Sequence, residues 1–157
     1  MSAWSSSWRT AVPPPVVTLL MGGLMAWLAP SIPPWSGAWA LHQALGVAWA
    51  MSSAVLMLLA AWALHRHRTT INPMRPESAQ HLVSTGVYAR SRNPIYVADA
   101  LLLLGWWLWL GVASAGLGLL GFVWWIDRVQ IRSEEAALSV RFGDAYAAYC
   151  QRVRRWV

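Results

Sequence analysis

Two stretches of this 157-residue chain bring together side chains that could do chemistry. In Ser91-Arg-Asn-Pro-Ile-Tyr96, Asn93 is a favoured helix N-cap and Pro94 suits the first helical position, so a helix should begin there. The free N–H groups of its first turn would favour an anion. Tyr96 falls in that turn and Asp99 in the next. The plain reading is a helix start with Asp99 favoured by the helix dipole, but an ionisable group just inside an apolar run is also a candidate for function. In the second stretch Arg128, Arg132 and Glu135 recur at helical spacing and share one face, with Glu134 beside them. Adjacent carboxylates among arginines can hold a cationic ligand or pair internally, and spacing alone leaves both open.

The elements that position these residues are apolar. Apolar residues make up 57% of the chain and charged residues 11%, far below a soluble domain, so the expected solvent is a bilayer. The 13 Trp residues agree, because indole favours the membrane interface; Trp4, Trp8, Trp35, Trp39 and Trp156 flank apolar runs. Residues 16–29 and 44–64 carry no charge and read as spans, the first retained rather than cleaved as a signal because Pro30, Pro33 and Pro34 follow it. The block 95–126 holds one charge, Asp99, and as one straight helix would run about 48 Å, too long for a hydrocarbon core of roughly 30 Å. A turn within 111–116 resolves this and brings the Arg residues at both ends of the block to one face. The expectation is an all-α integral membrane protein, one domain over 1–157. About four transmembrane helices (16–29, 44–64, 95–110, 112–126) would include a C-terminal helical hairpin, with amphipathic helices after it. Segments 65–93 and 127–157 would lie on the cytoplasmic side with both termini.

Other motifs weigh less. Gly116-Leu-Gly-Leu-Leu-Gly121 spells a dinucleotide-binding string, yet no strand precedes it and no acidic partner follows, so close helix packing through Ser114 and Gly118 is the better account. His65-Arg-His-Arg68 lacks a carboxylate or thiol nearby and reads as positive-inside charge; no metal site is expected. His42 should meet interfacial water. All 12 basic residues are Arg and lie beside apolar runs, which argues for topology rather than nucleic acid. The single Cys150 allows no intrachain disulfide. Gly143 should break a helix, after which Tyr146, Tyr149 and Val153 line one face of a surface helix anchored by Trp156.

Taken in order, several motifs resemble the integral membrane methyltransferases that include isoprenylcysteine carboxyl methyltransferase and the phospholipid methyltransferases. They are Thr69-Thr-Ile-Asn-Pro73, His81-Leu-Val-Ser-Thr-Gly-Val-Tyr88, Arg92-Asn-Pro-Ile-Tyr96, the hairpin, Arg132-Ser-Glu-Glu135, Phe142-Gly-Asp-Ala-Tyr-Ala-Ala-Tyr149 and Val153-Arg-Arg-Trp156. The resemblance covers about the C-terminal 90 residues and implies a methyl transfer from S-adenosylmethionine to a lipophilic or small acceptor. It implies a cofactor lined by His81, Leu82, Val83, Gly86, Tyr88, Arg92, Asn93, Pro94, Tyr96, Glu134 and Glu135. Tyr96, Glu135, Arg132 and Asp99 become candidate catalytic residues. Many relatives carry His where this chain has Asn93, and an amide cannot serve as a titrating base. The chemistry agrees: a sulfonium and an ammonium suit carboxylates and aromatic faces, while a donor carboxylate suits Arg92.

The competing expectations are an NADPH-dependent reductase related to the sterol reductases and a non-enzymatic membrane scaffold or lipid-binding protein. The acceptor could be a carboxylate, a thiol or an amine. Trp106, Trp107, Trp109, Trp124 and Trp125 could line its route or merely pack.

Overall fold

A computed structural model describes residues 12–29, 39–67 and 81–157. The first residues, the link between the first two helices, and the Thr69–Pro73 motif lie outside the described residues, as do Trp4, Trp8 and Trp35. Among the described residues the regular structure is entirely helical.

Helix α1 spans Pro14–Leu28 and α2 spans Trp39–Arg66. A 3₁₀ turn at Gly86–Ala89 leads into α3, Pro94–Leu110. After a second 3₁₀ turn at Ala113–Ala115, α4 covers Gly116–Trp125 and runs without a break through a π-helical stretch, Ile126–Ile131, into α5, Arg132–Arg152.

Helix α2 has 28 residues, about 42 Å of rise, and is long and apolar enough to cross a membrane. Its outer surface supports that solvent. Leu41, Leu45, Trp49, Met51, Val55, Leu58, Leu59 and Trp62 are all exposed, an apolar surface of the kind that meets a membrane or another protein. Helices α1 and α3 are shorter apolar helices. Counting uncharged residues overestimates the second arm of the hairpin: α4 has only 10 residues, because three are spent on the 3₁₀ turn and the chain then rewinds as a π-helix.

The hairpin itself forms where the sequence allows it. Gly111 adopts φ 67°, the left-handed conformation that ends a helix, and its N–H donates to the Trp107 carbonyl at 3.1 Å. Trp107 then folds its ring over Gly116 and donates its indole N–H to Val112 O at 2.9 Å. Gly118 meets Met21 and Met25 of α1, so the glycine string is a packing surface.

The closest helix approach falls elsewhere. A Cβ on Gly105 would sit 2.6 Å from the carbonyl oxygen of Gly46, and one on Gly46 would sit 2.7 Å from that of Gly105. Helices α2 and α3 therefore touch backbone to backbone, tied further by Ser53 Oγ donating to Ala98 O at 2.7 Å. This contact holds α3, and with it the residues at its N-terminus, against the firmest span. The main core gathers Val17, Met25, Tyr96, Leu103, Phe122, Ile126 and Ile131 between α1, α3, α4 and the π stretch.

Candidate active site

At one end of the bundle the loop before α3 meets the π stretch, the start of α5 and the tail after α5. The π winding decides which side chains face inward. In an unbroken α-helix residues 127 and 135 would be rotated by roughly 80° relative to each other; the wider π turn absorbs the excess. Asp127 and Glu135 thereby reach the same guanidinium, that of Arg155. Arg128 and Arg132 are both exposed, whereas Glu135 is half-buried. Arg132, a sequence candidate for catalysis, therefore lies at the surface, and of Arg128, Arg132 and Glu135 it is Glu135 that the cluster takes in.

Glu134 faces the core side. Its Oε1 accepts from the Tyr96 hydroxyl at 2.5 Å and from Gln130 Nε2 at 2.9 Å. Burial pushes its carboxyl up to about 7, against the hydrogen bonds from Tyr96 and Gln130, which hold it down. Tyr96 is buried on the first turn of α3, and Asp99 lies one turn deeper, buried, with Thr18 of α1 within hydrogen-bonding reach.

Glu135 faces the tail. Arg155 grips both its oxygens, Nε to Oε1 at 3.0 Å and Nη2 to Oε2 at 2.6 Å, and Arg92 Nη2 lies 3.2 Å from Oε1. Arg92 also donates from Nη1 to Cys150 Sγ. The Arg155 proton is held more tightly than usual, first through its bond to Glu135.

Behind this pair Tyr146 and Tyr149 pack with Val153, as their spacing predicts, and Leu82 rests on them. Tyr149 donates to the Tyr88 carbonyl at 2.7 Å. Burial pushes the Tyr149 hydroxyl up to about 12 and raises that of Tyr88 further, so both stay neutral. Val83 and Tyr88 are buried against Ala60 of α2, whereas His81 and Gly86 are exposed. Pro94 is buried at the start of α3. Asn93 occupies the N-cap position, but its side chain makes no capping bond; it donates instead to Arg155 O at 2.9 Å.

The structure thus brings Tyr88, Arg92, Asn93, Pro94, Tyr96, Glu134 and Glu135 to one end of the bundle. Asp99 lies deeper, and His81, Gly86 and Arg132 lie at the surface.

Residues 41–145, well over half of the chain, match the family described as phospholipid methyltransferase. The chain belongs to that family. It is also 46% identical over 63 residues to an uncharacterized protein of Haemophilus influenzae, a stretch that is 40% of this chain and the whole of that protein. No solved structure matches it. The family match spans both halves of the cluster, Tyr88 to Asp99 and Asp127 to Glu135. It stops short of the tail.

Three contributors escaped sequence reading. Asp127, Gln130 and Arg155 carry no local signature, since their pairing depends on the π winding and on the tail doubling back. The Arg-Arg-Trp end was a visible signal, but it read as a surface anchor. Trp156 instead donates its indole N–H to Asp127 Oδ1 at 3.2 Å and packs on the main core.

Proposed function

We propose that this family member transfers a methyl group from S-adenosylmethionine to a lipophilic or small acceptor at the cytoplasmic face of a membrane. The observation that carries the reading is the division of labour between Glu134 and Glu135. One carboxyl accepts from the neutral donors Tyr96 and Gln130, while its neighbour is saturated by Arg155 and Arg92. A cationic donor needs a carboxylate that no fixed cation already neutralises, and Glu134 answers that need. A donor carboxylate is answered by the first-turn N–H groups of α3, beside the largely buried Arg92 guanidinium, whose Nε has no partner among the described residues. The residues present therefore fit such a cofactor.

S-adenosylmethionine, when bound, supplies a methyl group activated by a positively charged sulfur. This chain's own residues supply placement. Tyr96 orients Glu134, Tyr88 and Tyr149 stay protonated and fix the loop over α5, and the aromatic and apolar surroundings exclude water. An acceptor that must lose a proton could pass it to Glu134 or Asp99. A carboxylate or thiolate acceptor would need no base.

In this reading α1 and the α3–α4 hairpin complete a four-span bundle with α2. The Arg-rich end, with Arg66, Arg90, Arg92, Arg128 and Arg132, lies in the cytoplasm. The acceptor arrives laterally between the helices. Of the hairpin Trp residues, Trp106 is tied to α1 through Gly22 O at 3.1 Å and Trp107 to the turn, while Trp109 and Trp124 are exposed to lipid. Incubation of the purified protein with methyl-labelled S-adenosylmethionine and a total lipid extract should yield a labelled product whose identity names the acceptor. Absence of label transfer to any lipid or small thiol or amine would count against the reading, and stabilisation by NADPH instead would favour a reductase.

A further inference from the structure

The last five residues, 153–157, leave α5 at Val153, whose backbone turns extended, and run back across the candidate site. Their backbone pairs with the loop before α3: Arg92 N–H donates to Arg154 O at 3.0 Å, and Asn93 Nδ2 and Ser91 Oγ donate to Arg155 O at 2.9 and 3.4 Å. Their side chains pair with the other wall. Arg155 Nη1 lies 3.2 and 3.4 Å from the two oxygens of Asp127, its Nε and Nη2 take both oxygens of Glu135, and Trp156 also donates to Asp127. The tail is therefore bonded to the loop before α3, to the π stretch and to α5, although the family match ends at residue 145.

We propose that Arg155 is a positioning residue. It latches the C-terminal strap over the site, clamping the Ser91–Asn93 loop to the π stretch and to α5, and keeps Glu135 engaged so that Glu134 alone faces the donor. The guanidinium fork suits this work because all three of its nitrogens are used at once on two carboxylates, which a lysine ammonium cannot reproduce. Asp127 and Glu135 converge on one cation only because of the π winding, so the latch and the irregular helix are one device. The positioning role rests on the methyltransferase reading; the latch itself does not.

The test uses the full chain in detergent micelles or nanodiscs, as wild type, Arg155→Ala, Arg155→Lys and Arg152→Ala, the last removing an exposed neighbouring charge. Amide hydrogen exchange is read at Arg92, bonded to the strap, and at Val153, whose N–H closes the end of α5 by donating to Tyr149 O at 3.0 Å. Arg155→Ala should speed exchange at Arg92 about tenfold or more and leave Val153 protected. It should also weaken S-adenosylmethionine binding about tenfold, with Lys restoring part of both and Arg152→Ala changing neither. Unchanged Arg92 exchange in Arg155→Ala overturns the latch. Loss of protection with undiminished donor affinity overturns the positioning role. A wild type that binds no donor removes the methyltransferase reading and the positioning role together, and exchange then still decides the latch. Should Arg155→Ala fail to fold, Arg155→Lys with Trp156→Phe supplies the same comparison: full protection and affinity in both would overturn the proposal.

Discussion

Glu134 and Glu135 are neighbours in sequence and opposites in setting. Successive residues of a helix point about 100° apart, so Glu134 turns toward Tyr96 and Gln130 on the core side, and Glu135 turns toward Arg155 and Arg92 at the tail. The first is a carboxyl with neutral donors and a raised affinity for protons. The second is a structural anion shared by two cations. An adjacent acidic pair therefore need not act as a pair: one member holds the walls together, which leaves the other free of fixed positive charge.

The largest expected break in this comparison comes from Glu134→Gln, which keeps the shape and removes the charge. Donor affinity measured by calorimetry should fall roughly thirtyfold, equivalent to about 2 kcal/mol for a charged hydrogen-bonding contact, with little change in thermal stability. Glu135→Ala should do the reverse, because Arg92 and Arg155 lose their shared partner. Its midpoint of thermal unfolding should drop by more than that of Glu134→Gln, with a cost of about 1 to 2 kcal/mol for partly buried charges. Equal effects of the two substitutions on both readouts would erase the distinction.

Tyr96→Phe sharpens it further. It removes one donor to Glu134 and should cost about 1 kcal/mol, seen as a severalfold weaker donor affinity. The pH dependence follows from the raised Glu134 carboxyl, about 7 in the fold against an ordinary value of 4.5. Between those values the folded protein binds more protons than the unfolded chain, so this group's contribution to stability declines as pH rises through that window. Cation binding runs the other way: donor affinity should rise with pH and level off above about 7, and the profile should be flat in Glu134→Gln. The smallest effect belongs to Arg132→Ala, which should change stability by less than about 0.5 kcal/mol and leave donor affinity nearly intact, as fits an exposed side chain.

The helix starts at Pro94, the turn at Gly111 and the tyrosine face of α5 were legible from sequence because each rests on a local rule of propensity, capping or period. The approach of Gly46 to Gly105 was not, since two isolated glycines say nothing of each other until the helices cross. The π stretch was also hidden. Residues 126–131 have nothing in their composition that forbids an α-helix, so nothing in the sequence announces that Asp127 and Glu135 meet on one cation. Asn93 and Trp156 were placed by their usual roles, cap and anchor, and the strap drew both into other bonds. The candidate site was thus readable as a set of residues and not as a set of partners.

The proposed function is at bottom spatial: it puts the donor between the start of α3 and the start of α5, at Glu134. Ultraviolet cross-linking of radiolabelled S-adenosylmethionine to the wild-type protein, followed by peptide mapping, tests it most directly. The account predicts label on the peptides carrying Tyr88 to Tyr96 or Gln130 to Glu135, competed by unlabelled donor and sharply reduced in Glu134→Gln. Label confined to other segments, or label unaffected by Glu134→Gln, would contradict it.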